Sequence, residues 1–417
     1  MKTLGRYSMG IGDRFGHQGK AQLSAIIEAG RKGIEITPVW NKSNREHIFT
    51  GTDPVDVRNE ADSVTKNAGF IKPYYVDADH INLDTVDRFL GSSDFYTIDV
   101  AGYIGKSASD QQIKNFLKQT AGYQAKFQIA GIEKPYIISK TLLTEIAGKY
   151  LYAAHKAGEI YRKIENGCGK GSYITEISMD EVAQPQSPAE LLFFLKMAAD
   201  EKIPLQTIAP KFSGRFNKGI DFEGNPERFA EEFETYLKII DYGVKEFGLP
   251  ENLKMSIHSG SDKFSIYPLI GNLIKKHGKG IHVKTAGTTW LEEVTGLALS
   301  GGEALEFVKE IYSGSLEKID ELTSPYTGVI NIETSSLPSR KEVSKWSAAK
   351  FADSIRNVAE NSNYNPGMRQ LIHVAYKLAA LRKAEYFRLL EKNEKIISKC
   401  VYENLYTRHI CKLFDIK

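Results

Sequence analysis

Short runs in which apolar and polar residues alternate recur along the 417-residue chain, each ending in polar or small residues and passing into a stretch of helical periodicity. In Lys254-Met255-Ser256-Ile257-His258, Met255 and Ile257 share one face while Ser256 and His258 share the other. Gly280-Ile281-His282-Val283-Lys284 repeats the pattern, with His282 and Lys284 together. The same reading finds strands in Tyr7 to Arg14, Ile34 to Trp40, Pro73 to Asp77, Asp94 to Val100, Tyr173 to Ser178 and Leu205 to Ala209. Helices follow, opened for example by Asp53-Pro54 and Ser187-Pro188, and one runs from Pro226 to Phe247. Eight strand-then-helix units predict an α/β fold: a (β/α)8 TIM-type barrel with helical insertions and a helical C-terminal cap, its site at the strands' carboxyl ends. Residues 1–312 are assigned to the barrel, with a helical insertion at about 107–166, and 313–417 to a mostly helical extension packed on it.

The predicted strand ends are rich in metal-binding groups: Asp77, Asp79, His80, Asp99, Glu176, His258 and His282. Imidazoles mixed with carboxylates suit a divalent first-row ion (zinc, manganese, cobalt or nickel), and three protein ligands leave positions open for a substrate. One strand-end histidine is more often packed than a ligand, but three at one barrel face favour the metal reading. His17, after the first strand, is placed either to touch substrate or to cap the next helix. His47, His155, His277, His373 and His409 read as surface or packing residues. Arg14, Lys42, Lys211, Lys263 and Lys284 gather at the same end as an anion-binding set, joined by backbone N–H groups near Gly260-Ser261 and Gly287-Thr288. Any single lysine is more often a solvated or ion-paired charge. A Schiff base at Lys211 or Lys284 is also conceivable. Gly10-Ile11-Gly12 and Gly167-Cys168-Gly169-Lys170-Gly171 are turns rather than nucleotide motifs, since the first lacks a third glycine and the second precedes a strand.

Composition narrows the partners. With 55 basic and 52 acidic residues the formal charge is +3, too balanced for nucleic acid or an acidic membrane surface. The start has no apolar signal segment and no run of about 18 apolar residues occurs, so neither export nor a membrane span is expected. Three cysteines, Cys168, Cys400 and Cys411, at no metal-ligand spacing fit a reducing cytoplasm. A small-molecule substrate is the expected partner, and a homo-oligomer is compatible with all of this.

Longer motifs carry a resemblance. Asp13-Arg14-Phe15-Gly16-His17-Gln18-Gly19, Val39 to His47, Asp77-Ala78-Asp79-His80, His258 to Ser265 and Lys284 to Glu293, in that order, resemble the tagaturonate/fructuronate epimerase family of bacterial hexuronate catabolism, from about Tyr7 to the carboxyl end. The resemblance implies a metal-dependent enzyme on a barrel fold that interconverts two keto-hexuronates by inverting one carbinol centre. It implies metal ligation by His80, His258 and His282, with Asp79 and Glu176 as the acid/base pair.

The inverted carbon, C3, lies beta to both the ketone and the carboxylate, so neither acidifies its C–H bond. Simple deprotonation is a poor route. The expected route is retro-aldol: a base takes the C3 hydroxyl proton, the C3–C4 bond breaks, and the aldehyde half turns its other face before re-adding. Alternatives are a metal-dependent aldolase acting on keto sugar acids or sugar phosphates, which would release the fragments, and a non-catalytic sugar-acid sensor. Paired carboxylates argue against the sensor, because binding alone needs no acid and base.

Overall fold

The computed structural model describes the chain apart from residues 259–261, 327 and 359–360 and the side chain of Lys126. Its strands are β1 (Tyr7–Ile11), β2 (Ile36–Ser43), β3 (Tyr75–Ile81), β4 (Phe95–Asp99), β5 (Ala125–Phe127), β6 (Tyr136–Ile138), β7 (Ile174–Ser178), β8 (Thr207–Ala209), β9 (Lys254–His258) and β10 (Ile281–Lys284). Eight close into the expected parallel barrel in the order β1-β10-β9-β8-β7-β4-β3-β2, while β5 and β6 form a separate antiparallel pair. Because β1 bonds to both β10 and β2, the ring leaves no open edge. The register sets Lys284 beside Gly10 and His258, and His282 beside Ser8 and Ser256. Gly10 lets the strands pack closely there: a Cβ would crowd Lys284, lying 3.0 Å from its Cα and 3.1 Å from its Cγ. Leu4, Val39, Tyr75, Phe95 and Ile174 form a small apolar cluster, and Lys254 ties its ammonium to the carbonyls of Leu4 and Gly5 before β1.

Local signals place the helices. Ser187 caps Pro188–Asp200 in a reciprocal box with Glu190, and Asp53 precedes Pro54 at the start of Pro54–Asn67. The region between β4 and β7 holds the helices Asp110–Gln119 and Lys140–Cys168, but also the β5–β6 hairpin, where the pattern suggested helix. Tertiary packing decides this: Tyr123 lies edge-on to Phe193 and Phe127 edge-on to Tyr242, so the segment is held flat on neighbouring helices.

After β10 a second apolar cluster forms. It runs from Trp290 to Val401 and recruits Phe15 from the first strand-to-helix connection and Ala21 from the helix Gly19–Arg31 that follows. It begins at Trp290, so the helix Thr289–Ser300 already belongs to it; Gly301 and Gly302, with φ of 69° and 50°, break that helix from Gly302–Glu317. The Trp290 indole N–H donates to the Ile372 carbonyl at 2.7 Å. Leu405, Ile410 and Leu413 return to the barrel's own cluster. Charge fastens the extension as well. Asp262, just beyond β9, accepts from Arg369 at 2.6 Å and from the Asn404 amide at 3.2 Å, all three groups being buried. Among the described residues no helix is long and apolar enough to cross a membrane.

Candidate active site

A cavity of about 420 Å³ opens at the carboxyl ends of the strands, with Asp79, His80, Asp99, Asp180, His258 and Lys284 among its lining residues. Strict alternation would send Asp79 and His80 to opposite faces of β3. The register instead shifts between Ala78 and Ile81, and His80 takes a left-handed φ of 53°. This irregularity turns both side chains into the cavity. A non-glycine residue held there stores about 1–3 kcal/mol of strain, the kind found where a side chain must be aimed.

The two imidazoles meet edge to face, their centroids 5.0 Å apart. His258 sets Nε2 2.7 Å from Glu176 Oε1 and Nδ1 3.3 Å from Asp180 Oδ1, while His80 Nδ1 lies 3.5 Å from Asp99 Oδ2. Among the described residues two sets of ligand atoms converge within 4.8 Å: His80 with Asp180 and His258, and His80 with Asp99 and Glu181. Two nitrogens and a carboxylate oxygen suit a divalent first-row ion. The Nδ1 atoms of both histidines are buried and face only carboxylate oxygens, at distances long for a hydrogen bond, a donor set that fits such an ion. Burial alone would lower the His80 pKa, but Asp79, Asp99 and Asp180 raise it well above the usual value; for His258, Asp180 and Glu176 overcome burial in the same way.

Beneath them Lys284 is the electrostatic centre. Its ammonium lies 2.7 Å from Asp77 Oδ2, 2.7 Å from Asp79 Oδ1 and 3.1 Å from Glu176 Oε1, and donates to Thr97 Oγ1 at 2.6 Å. These carboxylates raise its pKa well above the usual range against the effect of burial. An ammonium so held is no amine nucleophile, which removes Lys284 as a Schiff-base residue. The carboxylates divide the load unequally. Burial together with Asp79 and Glu176 pushes Asp77 up to about 7, whereas Lys284 and the histidines overcome burial and hold Asp79 at about 2 and Glu176 well below its usual value.

Three expected positions change. His282 is not in either converging set: it lies in the barrel interior beside Ser256, its Nδ1 2.9 Å from the Ser8 hydroxyl, and burial lowers its pKa to about 3. Its strand enters the mouth two residues later, at Lys284. Glu176 does not line the cavity either, but sits fully buried behind His258 and Lys284. Asp180 and Glu181, four and five residues on, are the cavity carboxylates from that strand's end. His17 packs its ring on Phe387 at 4.4 Å, outside this cavity, its backbone N–H bonded to Asp13.

The expected anion-binding set also separates. Lys42 donates to the Arg14 carbonyl at 2.6 Å and to Thr52, and Lys263 to the carbonyls of Asn217 and Ile220 at 3.0 and 2.6 Å; neither lines the cavity. Both hold loops, and burial lowers their pKa values, that of Lys263 to about 7. Arg14 does line the cavity, pinned by Glu46 at 3.0 Å and the His373 carbonyl at 3.1 Å and stacked on Tyr376. Lys211 lines it too, as does Gly287, while Gly260 and Ser261 lie outside the described residues. Sequence reading missed Arg45, Glu181, Lys218, Tyr326 and His373 as lining residues. Asp180 had a signal, because it lies just past the end of β7 in the strand-to-helix connection, where such barrels build their sites. Tyr326 and His373 come from the extension and had none.

The family model described as tagaturonate epimerase matches residues 2–413. The chain belongs to the tagaturonate epimerase family. It is thereby an epimerase, an enzyme of the isomerase class, as the sequence motifs implied. A Thermotoga maritima protein named tagaturonate/fructuronate epimerase is 28% identical over 422 residues, covering 97% of this chain and 80% of that one. The fold is that of a Cohnella laeviribosi fructuronate-tagaturonate epimerase crystallised with one glycerol, with a TM-score of 0.80 at 24% identity, covering 100% of this chain and 82% of that one. The native crystal structure of the same Cohnella protein gives 0.79 at 24% identity, covering 100% of this chain and 83% of that one.

Proposed function

We propose that this epimerase interconverts D-tagaturonate and D-fructuronate in the cytoplasm by breaking and remaking the C3–C4 bond, with a divalent first-row ion held by His80, His258 and Asp180. The observation that carries the reading is the convergence of those three side chains at the mouth of the barrel beside the Lys284-bound carboxylate of Asp79. A bound ion would supply Lewis-acid polarisation of the substrate ketone. Asp79 takes the C3 hydroxyl proton, and Lys284 keeps Asp79 ionised and oriented for it. As the C3–C4 bond breaks, its electron pair passes to the ketone half as an enediolate and C3 becomes an aldehyde. The aldehyde half rotates, the enediolate carbon attacks its other face, and Asp79 returns the proton to the new C3 oxygen, so atoms and electrons balance. Glu176 acts through His258, fixing the imidazole by a 2.7 Å hydrogen bond. Three free thiols support the cytoplasmic placement.

The test is proton NMR of D-tagaturonate with the purified protein, as isolated with added manganese or zinc and again after chelation. D-fructuronate that disappears with chelator and returns with metal is expected. Accumulating three-carbon fragments would replace the epimerase with an aldolase, and no change with any metal would overturn the reading.

A further inference from the structure

The substrate of the proposed reaction carries a carboxylate, and most cations that the sequence offers for it are already committed. Lys42 and Lys263 are anchored to backbone carbonyls, Arg14 is paired with Glu46, and Lys284 is shared by three carboxylates. Three further cations line the cavity: Lys211, and two that arrive from opposite sides of the barrel and meet. Arg45 follows β2, and Lys218 follows β8, four strands away around the ring in either direction. Both converge on one aromatic ring supplied by the extension: the Arg45 guanidinium lies 5.4 Å and the Lys218 ammonium 5.8 Å from the Tyr326 centroid, with Lys377, which does not line the cavity, a third cation on it at 5.4 Å. The Lys218 backbone N–H donates to the Val329 carbonyl at 2.7 Å, which fixes its loop to the extension. Among the described residues neither side chain makes an ion pair within 4.0 Å, although the charge of Glu181 reaches Arg45.

We infer that Arg45 and Lys218, gathered on Tyr326, form the clamp that binds the uronate carboxylate and sets the preference for acid over neutral sugars. Cations drawn to one ring repel each other, and an anion held by the two that face the cavity relieves that repulsion. The carboxylate end then lies under the extension while the ketone end faces His80 and His258. The extension's part in catalysis is to complete this clamp, since the barrel alone supplies no Tyr326. The clamp rests on the proposed substrate, but its test separates the two.

Titration calorimetry of the metal-loaded enzyme measures the dissociation constants of D-tagaturonate and of the neutral ketohexose in which hydroxymethyl replaces the carboxylate, with turnover followed in parallel. Wild type is expected to bind the uronate more tightly. Lys218→Met and Arg45→Met should each weaken uronate binding on the order of 10- to 100-fold, with the neutral sugar changed less than about threefold, and Lys218→Arg should restore most of the loss. Equal weakening for both sugars, or none for either, overturns the clamp even where turnover stands. A charge-dependent preference without turnover keeps the clamp and removes the epimerisation proposal.

Discussion

Replacing Lys284 by methionine removes one charge from a buried cluster while nearly keeping the side chain's volume. Asp77 and Glu176 are fully buried and Asp79 almost so, and all three lie within 3.1 Å of the Lys284 ammonium. Taking one partner from a buried ionic group costs about 3–5 kcal/mol, because the remaining charges stay desolvated and repel one another. Against a typical total of about 5–15 kcal/mol this is a large loss, which for a chain of this length is a fall of about 3–6 °C in Tm. The pH dependence also steepens: Asp77, at about 7 in the wild type, already favours the native state as pH falls from 8 toward 5. In wild type Asp79 is held at about 2 and Glu176 below its usual value by Lys284, so their contribution is present at neutral pH and is lost only as pH falls through those low values. Without the lysine, burial and mutual repulsion raise these pKa values above those of the unfolded chain. The native state then binds more protons than the unfolded one above about pH 4, and stability should rise more steeply as pH falls from 8 toward 5. Urea denaturation across that range, for Lys284→Met alone and with Asp77→Asn, measures this. The double variant should recover part of the loss, since it removes one uncompensated carboxyl. A Lys284→Met protein as stable as wild type at pH 7, with an unchanged pH slope, would refute the reasoning.

Glu176→Gln should lower divalent-metal affinity about 10- to 100-fold in competition titrations, because it loosens a partner of His258; full affinity with no activity would return Glu176 to proton transfer. His282→Asn should leave metal affinity within about threefold of wild type, since His282 belongs to neither converging set, whereas Asp180→Asn should lose more than the Glu176 variant. Asp79→Asn should cut turnover about 10²- to 10⁴-fold with metal content retained, as loss of a general base does. Burial holds His47 at about 4 against 6.5 unfolded, so the unfolded chain binds more protons between those values and stability falls as pH drops through them. This loss reaches about 3 kcal/mol at pH 4 and should shrink in His47→Asn when denaturation is followed against pH.

The barrel was legible because its signals are local. A strand buried on one side declares itself by a period of two, and Ser187-Pro188 and Asp53-Pro54 announce helix starts through caps that act within one turn. The predicted strand ends also placed His80, His258, Asp79, Arg14, Lys211 and Lys284 at one mouth. Depth within that mouth was decided only by the tertiary structure. Whether β10 presents His282 or Lys284 to the cavity, and β7 Glu176 or Asp180, depends on how each strand is staggered against its neighbours, which no strand records alone. The register shift in β3 is of the same kind: alternation separates Asp79 from His80, and the strained turn at His80 reunites them. Lys42, Lys263 and Lys211 look alike in sequence, but loops closing over the barrel consume the first two and leave the third in the cavity. Tyr326 and His373 complete the wall from more than forty residues beyond the last strand. A short-range pattern cannot carry that information, because their place is set by burial of the Trp290 cluster and by the Asp262–Arg369 pair.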